Sequence, residues 1–327
     1  MSERRNIMSK AAIVWLIVAA ALVFLSMVFF VITMSMNDWD FAKLSTFKYE
    51  TNEHEIHDSF VNISINTDTA DIHLALSDDG KCKVVCYESS KTKHTVSVQD
   101  ETLTLRLHDE RKWYDYIGLQ WGKSKVTVYL PESVYAFLSI KESTGNIEIP
   151  QTFSFESIDI TTSTGDVKNA ASASGDVKIS TRTGKIYIED ISVGSLSLSV
   201  TTGNVTASDI ACVGDFSIGV STGKTNLTNV LCANLLSKGS TGDITLKNVV
   251  ATEKLSVERS TGDVKFDSSD ASEIFVETDT GNVTGTLLSD KVFFTQTDTG
   301  KISVPQTLAG GRCEITTDTG DIKITIH

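Results

Sequence analysis

A Thr-Gly pair recurs ten times in this chain, and its nearly constant spacing limits the possible folds more than any other feature. Neighbouring pairs stand 19 or 20 residues apart. The glycines are Gly145, Gly165, Gly184, Gly203, Gly223, Gly242, Gly262, Gly281, Gly300 and Gly320. Such a period is typical of repeat proteins, in which each unit buries its apolar face only against its neighbours. The sequence therefore predicts a stack of similar coils over residues 141–327, with these glycines as structural turn residues.

Apolar residues keep fixed distances from each glycine. Aliphatic side chains predominate two and four residues after it and five and seven residues before it, as at Ile244 and Leu246 after Gly242. Because polar residues lie between them, this alternation predicts strands with one buried face. We therefore predict an all-β, single-chain parallel β-solenoid of about ten regular 19–20-residue coils, with two short strands each. The turn glycine is expected at φ > 0, which costs other residues roughly 1 kcal/mol or more.

Residues 59–140 also alternate apolar and polar side chains, but without the strict period. The segment from Thr67 to Ile72 resembles a degenerate copy of the repeat, with Ala70 in the glycine position. Terminal repeats are expected to be atypical, because they must cover an otherwise open core. We predict that this region is the irregular N-terminal part, or cap, of the same solenoid.

One apolar segment precedes these strands. Residues 11–34 carry no charge and are long enough to cross a membrane as a helix. Arg4, Arg5 and Lys10 lie before this segment, so residues 1–10 are predicted to be cytoplasmic and the bulk of the chain extracytoplasmic. Residues 35–58 are interpreted as a linker. The alternative is a cleaved signal peptide.

Composition narrows the partners and the chemistry. The formal net charge of −13 argues against nucleic acid, because nucleic-acid binding requires a basic face. Five cysteines at irregular spacing do not form a disulfide framework. No nucleotide-binding glycine motif or Cys/His metal spacing is present, and no cofactor is predicted.

An aromatic insertion interrupts the strands at residues 111–123. It contains Trp113, Tyr114, Tyr116 and Trp121. Exposed aromatic clusters bind sugars, proteins or lipid headgroups, so these residues are a candidate interaction surface. The alternative is a hairpin loop folded over the open end of the stack as a lid.

Catalytic chemistry is not indicated by the repeats. Residues 109–326 contain no histidine, and no insertion lengthens any coil between Gly145 and Gly320. Catalysis needs convergent groups in a pocket, so we predict that the protein is not an enzyme. Carboxylates form one column at Asp279, Asp298 and Asp318, near Asp321, and are candidate calcium ligands. The alternative is a set of solvated corner residues.

The chain resembles the bacterial putative-adhesin family. The resemblance rests on the apolar helix, on Val-Tyr-Leu-Pro at 128–131, and on Leu-Ser-Ile-Lys-Glu-Ser-Thr-Gly-Asn-Ile-Glu-Ile at 138–149 with its repeats. It covers residues 59–327 and implies a membrane-anchored β-repeat domain of unknown function, without catalytic residues.

These observations predict a membrane-anchored interaction, adhesion or structural surface of the cell envelope, with a protein or cell-wall polymer as partner. The alternatives are an accessory or sensory subunit of an envelope-stress or transporter complex, and a polysaccharide-active β-helix enzyme. Since the last coil at residues 320–327 has no evident cap, we expect a partner or a second copy to cover it.

Overall fold

The computed structural model describes residues 10–39, 48–113 and 122–327, which form two compact units. One unit contains helix α1 (Lys10–Met36), whose 27 residues include no charged side chain after Lys10. At 1.5 Å per residue this helix is about 40 Å long. It is long and apolar enough to cross a membrane, as a spanning helix or a signal sequence would be.

The second unit is the β-solenoid, formed by 23 strands in one sheet system. The strands are β1 (Tyr49–Ile56), β2 (Asn62–Asn66), β3 (Ala70–Leu76), β4 (Cys82–Ser89), β5 (Thr92–Gln99), β6 (Thr102–Asp109), β7 (Ser124–Leu130), β8 (Val134–Thr144), β9 (Ile147–Ile149), β10 (Ser154–Thr164), β11 (Val167–Asn169), β12 (Ser172–Thr183), β13 (Ile186–Thr202), β14 (Val205–Cys212), β15 (Asp215–Thr222), β16 (Thr225–Thr241), β17 (Ile244–Thr261), β18 (Val264–Thr280), β19 (Val283–Leu287), β20 (Lys291–Thr299), β21 (Ile302–Ser303), β22 (Gly311–Thr319) and β23 (Ile322–Ile326).

The regular coils stack in parallel and in register, which confirms the predicted fold class. Ile186 pairs with Val205, and Val205 pairs with Thr225 in the next coil. The predicted apolar columns become ladders of buried side chains in the middle of the stack: Ile179, Leu198 and Ile218 are at most 1% exposed. The core is therefore one continuous lumen filled by aliphatic residues.

The five coils that begin at Gly184, Gly203, Gly223, Gly242 and Gly262 have, beyond the two predicted strands, a third buried segment seven and nine residues after the glycine. Ile191 and Val193 occupy these positions in one coil, and Ile210 and Cys212 in the next. A non-glycine residue with positive φ precedes this segment. Five such residues have φ between 52° and 57°: Asp190, Asp209, Asn229, Asn248 and Ser268. Asp, Asn and Ser are the usual choices at such corners, because their short side chains bond locally to the backbone or to each other.

Coil order at the C-terminal end differs from the chain order. The stack runs from β18 to β22 and only then to β20, so that the last coil lies between two earlier ones. Strands β19, β23 and β21 follow the same order. The expectation that residues 320–327 form an uncapped end is therefore wrong: Ile322 and Ile324 are at most 2% exposed, whereas Ile302 in the coil above is 45% exposed.

The N-terminal end shows the same exchange of order. Strands β2 and β3 lie between β8 and β9 on one side and the later strands β6 and β7 on the other. Strands β5 and β4 then add outside β6 and β7 in the antiparallel direction. The predicted degenerate copy is confirmed, because Thr69 bridges Thr144 in the first regular coil and places Ala70 beside Gly145.

Candidate interaction surface and buried polar sites

The turn glycines leave no space for a side chain. A Cβ atom built on any of the ten would lie 1.8–2.2 Å from a backbone carbonyl oxygen of the neighbouring coil. Eight of the ten also have φ between 128° and 158°, where L-residues are strained. Coils can stack at this corner only because the glycines allow two backbones to approach closely.

Side chains around the glycine tie one coil to the next. Where Asp or Asn follows the glycine, its side-chain oxygen accepts a hydrogen bond from the backbone N–H at the same position of the next coil. Asp263 Oδ1 accepts from Asn282 N at 2.8 Å, and Asn282 Oδ1 accepts from Asp321 N at 2.8 Å. Three residues before the glycine, threonines such as Thr181 donate to the turn carbonyl of a neighbouring coil. The corner chemistry is therefore structural.

The candidate calcium ligands lie along this corner. Asp321 Oδ1 already accepts a hydrogen bond from Lys301 N at 2.8 Å. Asp279, Asp298 and Asp318 are exposed, and the observed pairing of Thr280 with Thr319 and of Thr319 with Thr299 puts Asp318 between the other two. Calcium binding at these residues stays a prediction.

A groove of about 490 Å³ crosses the outer face of five consecutive coils. Its walls are the outward side chains four and two residues before each glycine, and its floor is the backbone between them. The side chains are those of Ser199, Thr201, Ser221, Lys238, Ser240, Glu258, Ser260, Glu277 and Asp279. Gly219 adds width because it has no side chain. This polar groove mixes hydroxyl, cationic and anionic groups, and Lys238 and Glu258 form an ion pair at 2.7 Å.

Aromatic and cationic side chains meet on the outer face of the C-terminal coils. The Arg312 guanidinium lies 5.8 Å from the ring centre of Phe275 and 5.0 Å from that of Phe294. Lys254 Nζ lies 4.3 Å from the centre of the Phe275 ring. Since Phe294 is 51% exposed, this cluster could contact a partner.

The predicted aromatic surface is described only in part. Trp113 is 76% exposed. Tyr114, Tyr116 and Trp121 lie outside the described residues, so the choice between a lid and a binding surface stays a prediction.

A buried polar cluster lies in the irregular N-terminal part. Glu88 Oε2 lies 2.6 Å from His94 Nδ1 and accepts from His94 N at 2.7 Å, while Glu88 Oε1 accepts from Asn52 Nδ2 at 2.8 Å. Thr67 Oγ1 lies 2.8 Å from His94 Nε2. Burial alone would raise the pKa of Glu88, but these hydrogen bonds outweigh it and hold the pKa below its usual value. The carboxylate is therefore ionised and the cluster is internally satisfied.

The cluster has the residue types of a metal site and of a catalytic relay. Among the described residues, Cys86, Glu88 and His94 are the group whose ligand atoms all lie within 4.8 Å of one another. Cysteine, carboxylate and imidazole suit zinc, but burial raises the pKa of Cys86 to about 12 and the other groups already bond to protein atoms. Thr67 is only 5% exposed, so a substrate cannot reach its hydroxyl in this structure. We interpret the cluster as a structural network.

A second buried charge, Arg259, lies in the lumen of the regular coils. Its residue is 3% exposed, and its guanidinium donates to Thr225 Oγ1 and Ser237 Oγ at 3.0 Å and to the Val220 carbonyl at 3.3 Å. Its Nε atom has no hydrogen-bond partner. Burial lowers the pKa of this guanidinium. Gly239 makes room for it, because a Cβ there would lie 1.6 Å from Arg259 Nη1.

A third buried ionisable group joins the two parts of the solenoid. Glu142, in strand β8, accepts from Ala70 N at 3.0 Å with Oε1, while its Oε2 atom has no partner. Burial raises the pKa of Glu142 to about 8, and the nearby Asp71 and Asp68 add to the shift. This carboxyl group is therefore mostly protonated at neutral pH.

Sequence reasoning missed these buried groups, although signals were present. Thr225 and Ser237 are polar exceptions in aliphatic columns, and both face Arg259. Cys86 and Glu88 lie two residues apart on one strand and hence share a face. His94 comes from another strand, and a short alternating pattern does not specify which strand faces which.

A family model described as Toastrack DUF4097 matches this chain over residues 60–215 and again over 211–327. A search of curated proteins found no match.

Several solved structures are similar to the chain. One is a putative adhesin from Bacteroides fragilis NCTC 9343, with 17% identity over 85% of this chain and 97% of that chain, and a TM-score of 0.43. Two come from Parabacteroides distasonis ATCC 8503. The one described as a putative lipid binding protein has 14% identity, coverage of 84% and 97%, and a TM-score of 0.47. The other, a putative adhesin, has 12% identity, coverage of 85% and 98%, and a TM-score of 0.40.

Proposed function

The chain belongs to the Toastrack DUF4097 family. From this membership and from the geometry of its outer face, we propose that the protein is a non-catalytic interaction surface of the cell envelope. In this proposal α1 anchors the protein in the membrane, and the solenoid presents its outer face to a protein or a cell-wall polymer. Adhesion is one consequence of such a contact.

The polar groove is the observation that carries this proposal. It runs across five coils, so its side chains repeat about every 4.8 Å along the stack. Hydroxyls, the Lys238–Glu258 ion pair and further carboxylates supply donors and acceptors for an extended polar partner. The turn glycines and the aliphatic lumen, by contrast, are used within the fold.

Burial of the Thr67–His94–Glu88 relay supports a non-catalytic role. A nucleophile must be within reach of its substrate, and the His94 and Glu88 side chains are each only 1% exposed. Turnover of a cell-envelope polysaccharide by the purified full-length chain, lost in a Thr67→Val variant, would contradict this part of the proposal.

A binding experiment tests the groove. Full-length protein in detergent is titrated with cell-wall polymers and envelope proteins, and compared with a Gly219→Phe variant that fills the groove. A Cβ at Gly219 is 3.9 Å from the nearest atom, so the variant should fold normally. We expect at least tenfold weaker binding, or roughly 1.4 kcal/mol. Val213→Phe, at an 85% exposed position away from the groove, is the matched control. Equal loss in both variants would refute the groove as the site.

Orientation is tested by labelling. A cysteine at the exposed position Val213 should react with a membrane-impermeant maleimide in whole cells, because we propose that the solenoid is outside; the five native cysteines are buried. Labelling only after permeabilisation would reverse the topology. Co-purifying membrane partners that are lost when residues 11–34 are replaced by another spanning helix would favour the accessory-subunit alternative.

A further inference from the structure

We infer that two copies of this chain pair through strand β20, edge to edge and antiparallel. The inference deepens the proposed function by naming one partner, and it rests on that function only in requiring an exposed solenoid. It also moves the expected contact from the last residues of the chain to the coil at residues 291–303.

Strand β20 is the outermost strand of the C-terminal end. Its backbone pairs with β22 on one side, and no described strand pairs with its other side. Near its start, the Thr307 hydroxyl donates to the carbonyl oxygen of Lys291. The remaining outward N–H and C=O groups of the strand are therefore available to another strand.

The side chains of this edge do not prevent pairing. Proteins usually protect an edge strand with charges, prolines or bulges. Residues 292–297 read Val-Phe-Phe-Thr-Gln-Thr, without charge or proline, and Phe294 is 51% exposed. Lys291 does not place a charge at the edge, because its side chain is 3% exposed and its ammonium group lies 2.6 Å from Asp270 Oδ1. High β-propensity and no charge are the features of a segment that adds strands.

Strand β20 of a second copy fits this edge better than the N-terminal end of a second copy does. The outer strands at the N-terminal end carry Glu50 and Lys93, paired at 2.6 Å, and Glu53, paired with Lys83 at 3.7 Å. Burying these ions against an apolar edge would cost their hydration. Two identical edges whose residues 292–297 are uncharged avoid that cost, and a contact of one surface with itself generates a closed two-fold dimer.

The two-fold contact has a defined register. An antiparallel pair centred on Thr295 sets Phe294 of one copy opposite Gln296 of the other, and Val292 opposite Asp298. It also sets Phe293, which packs against the core and faces the lumen, opposite Thr297. No like charges meet, and the two lumens become continuous across the contact.

Crosslinking tests the register. Thr295 lies on the two-fold axis, so full-length Thr295→Cys protein in detergent should form a disulfide-linked dimer when oxidised with copper phenanthroline. Val213→Cys is the matched control at an exposed position outside the contact and should stay monomeric. Dimer formation by both variants at the same rate, or by neither, would overturn the proposed contact.

Sedimentation measures the strength of the contact. Phe294→Lys puts a charge on the edge and should weaken dimerisation of the full-length chain by at least ~tenfold. Because Phe294 is exposed, the variant should keep the wild-type circular dichroism spectrum; Thr295→Lys, which opposes two lysines, is the second variant. A wild-type monomer at all concentrations, or a dimer unchanged in both variants, overturns the inference. Groove binding that persists in a monomer would leave the proposed function intact.

Discussion

The two ends of the solenoid are built by the same rearrangement but finished differently. At each end the coil nearest the chain terminus lies one position inside the outermost coil of the stack. Strands β2–β3 lie inside β6–β7, and strands β22–β23 lie inside β20–β21. At the N-terminal end, antiparallel strands β4 and β5 then cover the outer layer. At the C-terminal end, no described strand covers β20.

The difference shows how a repeat stack can close one end and leave the other available. The covered end includes strand residues with buried ionisable groups, Glu88 and His94, that satisfy each other. At the open end, residues 292–297 are uncharged and their outward backbone groups have no described strand beside them. The sequence thus encodes separately the cover at one end and the proposed interaction edge at the other.

Among the substitutions that test this difference between the ends, removing Glu88 should have the largest effect on the free energy of unfolding. Glu88→Ala leaves the buried His94 and the half-buried Asn52 without this acceptor, and we expect a loss of about 3–5 kcal/mol in the free energy of unfolding. Denaturant unfolding measured by circular dichroism checks this. Glu156→Ala removes an exposed carboxylate and should cost less than about 0.5 kcal/mol. An equally small effect of Glu88→Ala would mean that the cluster does not close this end.

The exchanged coil order predicts unequal costs at two matched positions. Ile315 and Thr295 occupy the same column and pair with each other, but Ile315 is fully buried and Thr295 only half-buried. Ile315→Ala should cost about 2–5 kcal/mol, whereas Thr295→Ala should cost less than about 1 kcal/mol. Thermal unfolding measures both. If the coils followed chain order, Ile315 would lie at the end and the difference would shrink or reverse.

Glu142 tests the junction between the N-terminal end and the regular coils. Its pKa is raised from 4.5 to about 8, so the folded state holds a proton that the unfolded state releases. The contribution of this carboxyl group to the free energy of unfolding is fully present below the unfolded pKa of 4.5. It declines as pH rises from 4.5 towards the folded pKa of about 8, by up to about 3 kcal/mol between pH 5 and pH 7.

Glu142→Gln should remove this part of the pH dependence, and Glu156→Gln, at an exposed position, should not. The measurement is the difference in unfolding free energy between each variant and the wild type across this range. An unchanged pH profile in Glu142→Gln would show that the junction tolerates an ionised carboxylate.

Substitutions in the middle coils should have the smallest effect on stability, and they give the value with which both ends are compared. A Cβ at Gly239 would lie 2.3 Å from the Val220 carbonyl oxygen as well as against Arg259. Gly239→Ala should therefore cost about 1–3 kcal/mol, whereas Gly219→Ala should lie within about 0.5 kcal/mol of the wild type. Equal melting temperatures for the two variants would contradict the described position of the guanidinium.

Much of the fold could be predicted from the sequence, because the period is enforced by backbone contact. A side chain at any turn glycine would collide with the neighbouring coil, so the glycines recur and the register follows. The same contact explains why Ala70 could be recognised as a degenerate copy. The aliphatic columns likewise identify the lumen.

The order of the coils could not be predicted, since each coil has nearly the same length and the same turn. The coils differed only in how many of their column positions are apolar. The inner coil carries Ile315, Ile322 and Ile324, whereas the outer coil has Thr295 and Ile302 at the equivalent of the first two. A more apolar final coil was a signal that it lies inside.

The candidate site was predictable to a similar degree. Outward positions between the columns were expected to be polar, and the groove is made of them. Its width depends on Gly219, a glycine outside the Thr-Gly period. The Arg259 site depends on side chains from three coils that meet in the lumen, and a linear pattern shows such exceptions without showing that they touch.

The inward position of the last coil also sets the order in which the molecule can be completed during synthesis. Strand β18 pairs with β22 and not with β20, so the coil at residues 291–303 has no docking partner until residues 311–327 have left the ribosome. Translation proceeds from the N-terminus. Until β22 has been synthesised, the segment Val292–Thr297 and the outer side of β18 are therefore both unpaired strand edges. Residues 311–327 are thus required for the assembly of the C-terminal coils, because strand β20 docks onto β22.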